Sequence, residues 1–299
     1  MSAATPGDHG ASAARLGIAV AFAAITMFAL LDVVSKVLGA RMSVIQILWV
    51  RFVLFVPLAL ALAWRPGSGI AWRSGAPGLQ VLRVVVLLVE MWFFLTAFAA
   101  IPLADAHAIG ATAPLLVTAL SVPFLGERVG WRRWTAIGVG FAGMLVVVRP
   151  GFAEFSLPML YAVAGAVLWA VYQVLLKIVG RVDSAATSGV WTAAIGAVAL
   201  SAIGPFAWTW PGPVEWTLLV VAALLGGVGH ITYSHAFNLA PASTLQPFGF
   251  LLLVYAAAFG WLFFGDVPDR WTVAGAALIV ASGLYTFHRE RVRARAAAA

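Results

Sequence analysis

Charged residues are scarce in this sequence of 299 residues, and cysteine is absent. Only 10% of the residues are Asp, Glu, Lys or Arg, whereas a soluble domain carries about 25%. The absence of cysteine excludes disulfide bonds and any metal or redox site built from thiolates. The chain also lacks the Gly-x-Ser-x-Gly, His-Glu-x-x-His and Gly-x-x-x-x-Gly-Lys-Ser/Thr motifs of hydrolases, zinc proteases and ATPases. We therefore expect no metal, no cofactor and no direct use of ATP.

Long apolar runs dominate the sequence instead. Hydrophobic residues make up 63% of the chain and the mean hydropathy is +1.00, so a lipid bilayer is the natural solvent for most of its surface. The runs have about 20 residues each, the length of a helix that crosses a bilayer. They are continuously apolar rather than alternating, which predicts an all-α integral membrane protein and not a barrel. We place ten transmembrane helices at 16–38, 43–64, 79–100, 103–124, 131–149, 157–178, 185–205, 215–238, 242–264 and 270–287.

Basic residues lie at the ends of these runs and in the C-terminal tail. The pI is about 10.5, but this distribution fits an anionic membrane face and gives no reason to expect nucleic acid as a partner. With the N-terminus in the cytoplasm, 12 of the 18 Lys and Arg residues fall on the cytoplasmic side, as the positive-inside rule requires. We predict a multi-pass protein of the bacterial inner membrane with both termini cytoplasmic, a disordered segment at 1–14 and a basic tail at 288–299.

The sequence repeats itself. Residues 97–127 align without a gap with residues 236–266, at a constant offset of 139 positions. Upstream, residues 28–43 align with residues 169–184 at an offset of 141. Such self-similarity predicts two structural units, which we place at 15–150 and 151–287. Because each unit holds five helices, an odd number, the second unit enters the membrane from the opposite side. Inverted repeats of this kind are typical of transporters.

Motifs in the first repeat resemble those of a known family. Ala97-Phe98-x-x-x-Pro102 precedes an apolar helix that ends in Gly126-Glu127. Together with two inverted five-helix repeats, this pattern is similar to the EamA type of the drug/metabolite transporter superfamily. Within the superfamily, the chain looks most like the bacterial amino-acid exporters of the YddG type. The resemblance implies a basket of ten helices around a central cavity, which exports amino acids or similar metabolites from the cytoplasm.

Ionisable side chains inside the predicted helices are candidates for function, because their burial in a membrane is costly. Glu90, in the middle of the third helix, is suited to hold a substrate ammonium group or a proton; alternatively it forms a structural ion pair with Arg51 or Arg83. Arg51 has no charged counterpart in the second repeat, which fits either a specific role or a packing role beside Asp32 or Glu90. We expect Arg83, near the inner end of its helix, to extend towards the membrane surface.

A second group of candidates lies near helix ends. Asp32 and Lys36 are one helical turn apart and can pair along one face. Lys36 recurs as Lys177 in the second repeat, whereas Asp32 is replaced by Gln173. A lysine shared by both halves indicates either a structural or a gating role. We therefore regard Asp32, Lys36, Arg51 and Lys177 as candidates for gating or coupling.

Polar and aromatic residues of later helices complete the predicted site. His107 and Gln246 occupy equivalent repeat positions, and both side chains can donate and accept hydrogen bonds. Aromatic rings with polar edges suit a cavity for amino acids of different size, although any single one is equally typical of a membrane interface. We predict substrate contact for a cluster and not for each member alone: Glu90, His107, Trp169, Tyr172, Gln173, His230, Tyr233 and Gln246.

Two predicted helices contain residues that weaken a helix. Pro114 lies in the fourth, and Pro247 and Gly249 lie in the ninth. Proline removes a backbone donor, so backbone groups freed there are able to bind a substrate, or the helix is simply kinked.

Other functions remain open at this point. An exporter of drugs or hydrophobic cations would also use Glu90 beside aromatic rings. An intramembrane enzyme acting on lipid would need a pair such as Glu90 with His107 or His230. In the fifth helix, Gly138 and Ala142 have the small-x-x-x-small spacing that permits close helix contact within one chain or in a dimer, so a monomer and a weak dimer are both compatible with the sequence.

Overall fold

The computed structural model describes residues 6–65, 69–126, 129–151, 156–239 and 245–298; Glu127 and the side chain of Gln246 lie outside the described residues. These ranges are almost entirely helical. The helices are α1 Pro6–Gly39, α2 Val44–Ala63, α3 Pro77–Ala100, α4 Leu103–Gly110, α5 Ala113–Leu125, α6 Trp131–Val148, α7 Leu157–Val179, α8 Ala185–Ile203, α9 Pro213–Leu239, α10 Leu251–Phe259 and α11 Arg270–Ala298. A two-residue strand pair, β1 Trp64–Arg65 with β2 Gly69–Ile70, is antiparallel.

Eight helical segments of the described chain are long and apolar enough to cross a membrane. This confirms an all-helical membrane architecture. Two further helical segments occupy the places of the predicted fifth and ninth helices but do not meet the same test. The first, α6, begins at Trp131 with Arg132 and Arg133 directly behind it, which lowers its hydropathy. The second, Phe248–Phe264, is shorter than the other apolar segments.

Both ends of the described chain are more helical than predicted. Helix α1 begins at Pro6, within the segment 1–14 for which we expected disorder. At the other end, α11 continues through the basic segment to Ala298.

Two of the predicted helices are interrupted near the residues that were expected to weaken them. The predicted fourth helix divides at Ala111 and Thr112 into α4 and α5, with Pro114 in the first turn of α5. In the second half, a 3₁₀ turn covers Gln246–Phe250 before α10 begins. Because proline cannot donate its backbone nitrogen, the helical hydrogen-bond pattern is interrupted at Pro114 and at Pro247.

Helices from the two halves pack in pairs. Helix α1 packs mainly against α9, α3 against α7, α2 against α8, and α6 against α11. Within each pair the helices are antiparallel, as the α2–α8 contact illustrates: Trp49 lies over Gly204, whereas Phe52, nearly one turn later, lies over Gly196.

The α6–α11 contact is the closest of these. A β-carbon added to Gly143 would come within 2.8 Å of the Gly275 carbonyl oxygen, and one added to Gly275 within 2.5 Å of the Gly143 oxygen. Gly140 faces Ser282 in the same contact, whereas Gly138 faces open space. Gly140 and Gly143 of α6 therefore serve packing inside one chain.

Candidate functional site

Four ionisable side chains from the first half converge inside the helix bundle. Asp32 on α1, Arg51 on α2, Glu90 on α3 and His107 on α4 each lie on a different helix. Arg51 interacts electrostatically with both Asp32 and Glu90. The carboxylate Oδ2 of Asp32 lies 3.0 Å from Nε2 of His107. Of the sequence-predicted site residues, these four form its ionic centre.

The Asp32–His107 pair is half-buried, with 17% and 12% of the side chains exposed. Although the two atoms are close, the contact does not have the geometry of a hydrogen bond. The imidazole stacks on Phe98 at 5.2 Å between ring centres. The His107 carbonyl accepts a bond from the Ala111 N–H at the break between α4 and α5. The pair is thus placed beside the interrupted backbone.

Arg51 lies deep among protein atoms but keeps accessible surface. Among the described residues its guanidinium has no ion pair within 4.0 Å and no hydrogen bond. Its Nη2 lies 3.6 Å from the β-carbon position of Gly226 on α9. His230, one turn further along α9, is close enough to interact electrostatically with Arg51 and is itself exposed although surrounded by protein.

Arg83 does not extend to the membrane surface, and our expectation for it was wrong. Its side chain is 1% exposed. It donates to Gln80, Tyr172 and Thr192, and also to the carbonyl of Ser188. Enough internal acceptors lie around this guanidinium to replace water, so extension is unnecessary.

Gln80 links this cluster to the loop between α7 and α8. Its Nε2 donates to Oδ2 of Asp183 at 2.8 Å, and Asp183 also accepts from Ser74 and from the Gly75 N–H. Burial alone would raise the pKa of the Asp183 carboxyl, but these hydrogen bonds outweigh it and hold the pKa below its usual value. Sequence reasoning missed Gln80 and Asp183. The only available signal was the spacing of Gln80 and Arg83, which are neighbours on one face of α3.

The predicted aromatic residues divide into two groups. Trp169 stacks on Tyr172 with ring centres 5.2 Å apart, and Tyr172 interacts electrostatically with Glu90 as well as Arg83. The second group packs around Phe28 of α1, whose ring centre lies 5.0 Å from that of His230 and 5.9 Å from that of Tyr233. Gln173, the residue that follows Tyr172 in the sequence, is half-buried.

The two repeat-related lysines lie at opposite ends of the bundle. Lys36 donates to the carbonyl of Ile101, at the end of α3, and lies 3.5 Å from Asp266. Lys177 is in the last turn of α7, and α7 ends beside the beginning of α3, where Asp183 meets Gln80. Both lysines are outside the central ionic group.

Apolar helices that enclose a group of charged side chains are typical of membrane transport proteins. A family model for the EamA-like transporters matches residues 15–149 and 156–287, and the chain belongs to that family, which makes it a multi-pass protein of the inner membrane. A riboflavin transporter of Rhizobium johnstonii is 28% identical, covering 90% of this chain and 89% of the relative.

Other relatives carry different names. An S-adenosylmethionine uptake transporter of Rickettsia bellii is 26% identical over 87% of this chain and 89% of the relative. The pseudopaline exporter CntI of Pseudomonas aeruginosa is 30% identical over 89% and 94%. A solved crystal structure superposes with a TM-score of 0.62 and 21% identity over 93% of this chain and 99% of that chain, which shows a shared fold. These relatives are named as transporters, so the chain is a transporter of small metabolites and the enzyme alternative loses support.

Proposed function

We propose that this protein is a secondary transporter that exports amino acids or related small metabolites from the cytoplasm by alternating access. The observation that carries the proposal is the ionic group of Asp32, Arg51, Glu90 and His107 inside the membrane-spanning bundle. Charges are costly there and persist where they serve a substrate or ion pathway. Opposite charges held near each other, with accessible surface remaining, suit a zwitterion that must exchange its hydration for protein partners.

The proposed architecture has ten spans in two inverted units, 15–150 and 151–287, around a central cavity, with both termini cytoplasmic. Three observations support it. The family model matches the chain twice, once in each unit. Helices α6 and α11, which end the two units, contact each other in antiparallel orientation, as an inverted pair would. Gly126 and Gly265, at equivalent repeat positions, both end their helices with a left-handed conformation, at φ values of 69° and 72°.

We assign substrate contact to Glu90, His107, Trp169, Tyr172, Gln173, His230, Tyr233 and Gln246, and gating or coupling to Asp32, Lys36, Arg51 and Lys177. Several of these side chains are surrounded by protein yet accessible, which is the property expected of groups that line an internal cavity. Lys36 and Lys177 lie at opposite ends of the bundle, as residues of two alternating gates would. We expect a monomer or weak dimer, to be measured by light scattering in detergent.

Efflux from proteoliposomes tests the function. Liposomes preloaded with single labelled amino acids are compared for the native chain, Glu90→Gln and Glu215→Gln. Glu215 is the matched control, because it pairs with Arg41 at 3.0 Å, away from the ionic group. We expect saturable efflux of several amino acids from native and Glu215→Gln protein, with at least a tenfold loss for Glu90→Gln. Absence of amino-acid efflux in folded, inserted native protein would overturn the proposed substrate.

A hydrophobic cation is the second candidate substrate, and the position of Tyr172 between Trp169 and Arg83 near Glu90 is the observation that favours it. Aromatic faces and a carboxylate together bind cations. Competition distinguishes the two. If an excess of amino acid leaves the efflux of a labelled lipophilic cation unchanged while the cation is transported, the cation is the substrate.

A further inference from the structure

We propose that Arg51 binds a carboxylate group of the transported molecule, so that the substrate class is carboxylate-bearing. This inference rests on the proposed function for the identity of the site as a transport site. The two arginines inside the helices differ in their hydrogen bonds: the protein supplies several acceptors to Arg83, and among the described residues it supplies none to Arg51.

Arg83 shows what this protein does with a structural arginine. Its guanidinium is closed off from solvent and donates to Gln80, Tyr172, Thr192 and the Ser188 carbonyl. A guanidinium has five N–H donors, and here the protein accepts from all three nitrogens. The guanidinium makes five hydrogen bonds, and only one N–H of Nη1 has no acceptor of its own; because the side chain is 1% exposed, this N–H is not open to a ligand.

Arg51 has the opposite arrangement. It is also surrounded by protein, but among the described residues nothing accepts a hydrogen bond from it, and no carboxylate oxygen lies within 4.0 Å of its nitrogens. Its nitrogens also keep accessible surface, because none of them is a fully buried atom without a hydrogen-bond partner. The donors therefore face accessible space inside the protein. A charge in this position is stabilised when a ligand or water accepts hydrogen bonds from it.

The guanidinium suits a carboxylate, and the charges around it suit a cationic group. Arg51 is flanked by Asp32 and Glu90, which act on it electrostatically from α1 and α3. A planar guanidinium fork matches the two oxygens of a carboxylate. The two flanking carboxylates leave a position for a cationic group beside it, so the site as a whole complements a zwitterion. Gly226, against the guanidinium on α9, carries no side chain that would fill the space.

Repeat symmetry strengthens the assignment. The position equivalent to Arg51 in the second half is Thr192, at the offset of 141. Thr192 is occupied, because its hydroxyl accepts from Arg83 and donates to the Ser188 carbonyl. The two equivalent positions have thus diverged into a structural contact in α8 and an open donor set in α2.

Chemical modification of the full-length protein in detergent tests accessibility first. Phenylglyoxal reacts with accessible guanidinium groups, and mass spectrometry locates the adducts. We expect modification of Arg51 and none of Arg83, the matched buried control, and we expect 3-phenylpropanoate or phenylalanine to protect Arg51 while phenylethylamine does not. Failure to modify Arg51, or modification that no carboxylate reduces, would overturn the inference.

Binding to variants tests recognition. Affinities of the native chain and of Arg51→Gln are measured for the same three compounds, with Arg51→Lys as a variant that keeps the charge but not the fork. Hydrogen bonds to a charged group predict that Arg51→Gln weakens binding of the two carboxylates by about tenfold to a hundredfold and leaves phenylethylamine unchanged. Equal losses for all three compounds would overturn the inference. Carboxylate protection without any amino-acid efflux would retain the inference and reject the proposed substrate.

Discussion

Arg83 on α3 and Arg51 on α2 are arginines within membrane-spanning helices, but their surroundings are opposite. Around Arg83 the protein supplies acceptors from α3, α7 and α8, and the loop carboxylate Asp183 fixes Gln80 behind it. Around Arg51 no described carboxylate oxygen lies within 4.0 Å of the guanidinium, and the side chain keeps accessible surface. Burial of a charged side chain therefore does not by itself define its role. A charged group whose hydrogen bonds are made by the protein holds the fold, whereas one without such hydrogen bonds is available to a ligand.

The largest effect is expected from Arg83→Leu. The substitution leaves Gln80, Tyr172 and Thr192 without their shared partner in a buried site, so the free energy of unfolding falls by about 3 kcal/mol or more. The thermal unfolding midpoint in detergent measures this. If Arg83→Leu unfolds at the same temperature as the native chain, the cluster is not structural and the comparison fails.

A smaller effect is expected from Asp183→Asn, which weakens the acceptor for Gln80, Ser74 and Gly75 and costs about 1–3 kcal/mol. The native chain carries a pH signature of the same contact. Because the folded pKa of Asp183 is depressed, its contribution is present above the unfolded value of about 3.9 and is lost as the pH falls through the folded pKa. Unfolding midpoints between neutral pH and about pH 3 should fall less steeply for Asp183→Asn than for the native chain; parallel curves would contradict the assignment.

Thr192→Val removes one acceptor of Arg83 and keeps the shape of the side chain. The remaining acceptors still hold the guanidinium, so we expect a loss of about 1 kcal/mol, measured as denaturant-dependent unfolding. Thr217→Val is the control, since the Thr217 hydroxyl bonds only its own helix, at the Pro213 carbonyl. A loss as large as that of Arg83→Leu would mean that the cluster depends on this single bond.

The smallest effect on stability is expected from Arg51→Gln, because among the described residues this arginine makes no hydrogen bond that the substitution would remove. The relief of its desolvation cost offsets the lost attraction to Asp32 and Glu90, so the unfolding midpoint should change little. Native protein and Arg83→Leu are measured in the same series. A drop comparable with that of Arg83→Leu would show that Arg51 holds the fold after all.

The sequence predicted the helices better than it predicted their partners. Apolar run length located most of the spans, because a bilayer dictates that length. Helix α6 departed from the pattern because Arg132 and Arg133 dilute its first turn. Pro114 correctly indicated the break between α4 and α5, since a missing backbone donor acts locally.

Side-chain partners depend on contacts that are distant in sequence. Arg83 was misread because its acceptors Ser188 and Thr192 lie more than a hundred residues later, on a helix whose rotation no local pattern fixes. The pairing of Asp32 with His107 was also not predicted, although both residues were singled out separately. Periodicity gives the face of a helix, whereas the neighbour on that face is decided by the packing of the whole bundle.

The contact between Gly143 and Gly275 also fixes the spacing of α6 and α11. At this contact each backbone occupies the space that a methyl group on the other would need. A side chain on either glycine is therefore accommodated only if the opposite helix moves. Two positions far apart in the sequence are thus constrained together, whichever of the two helices a substitution enters.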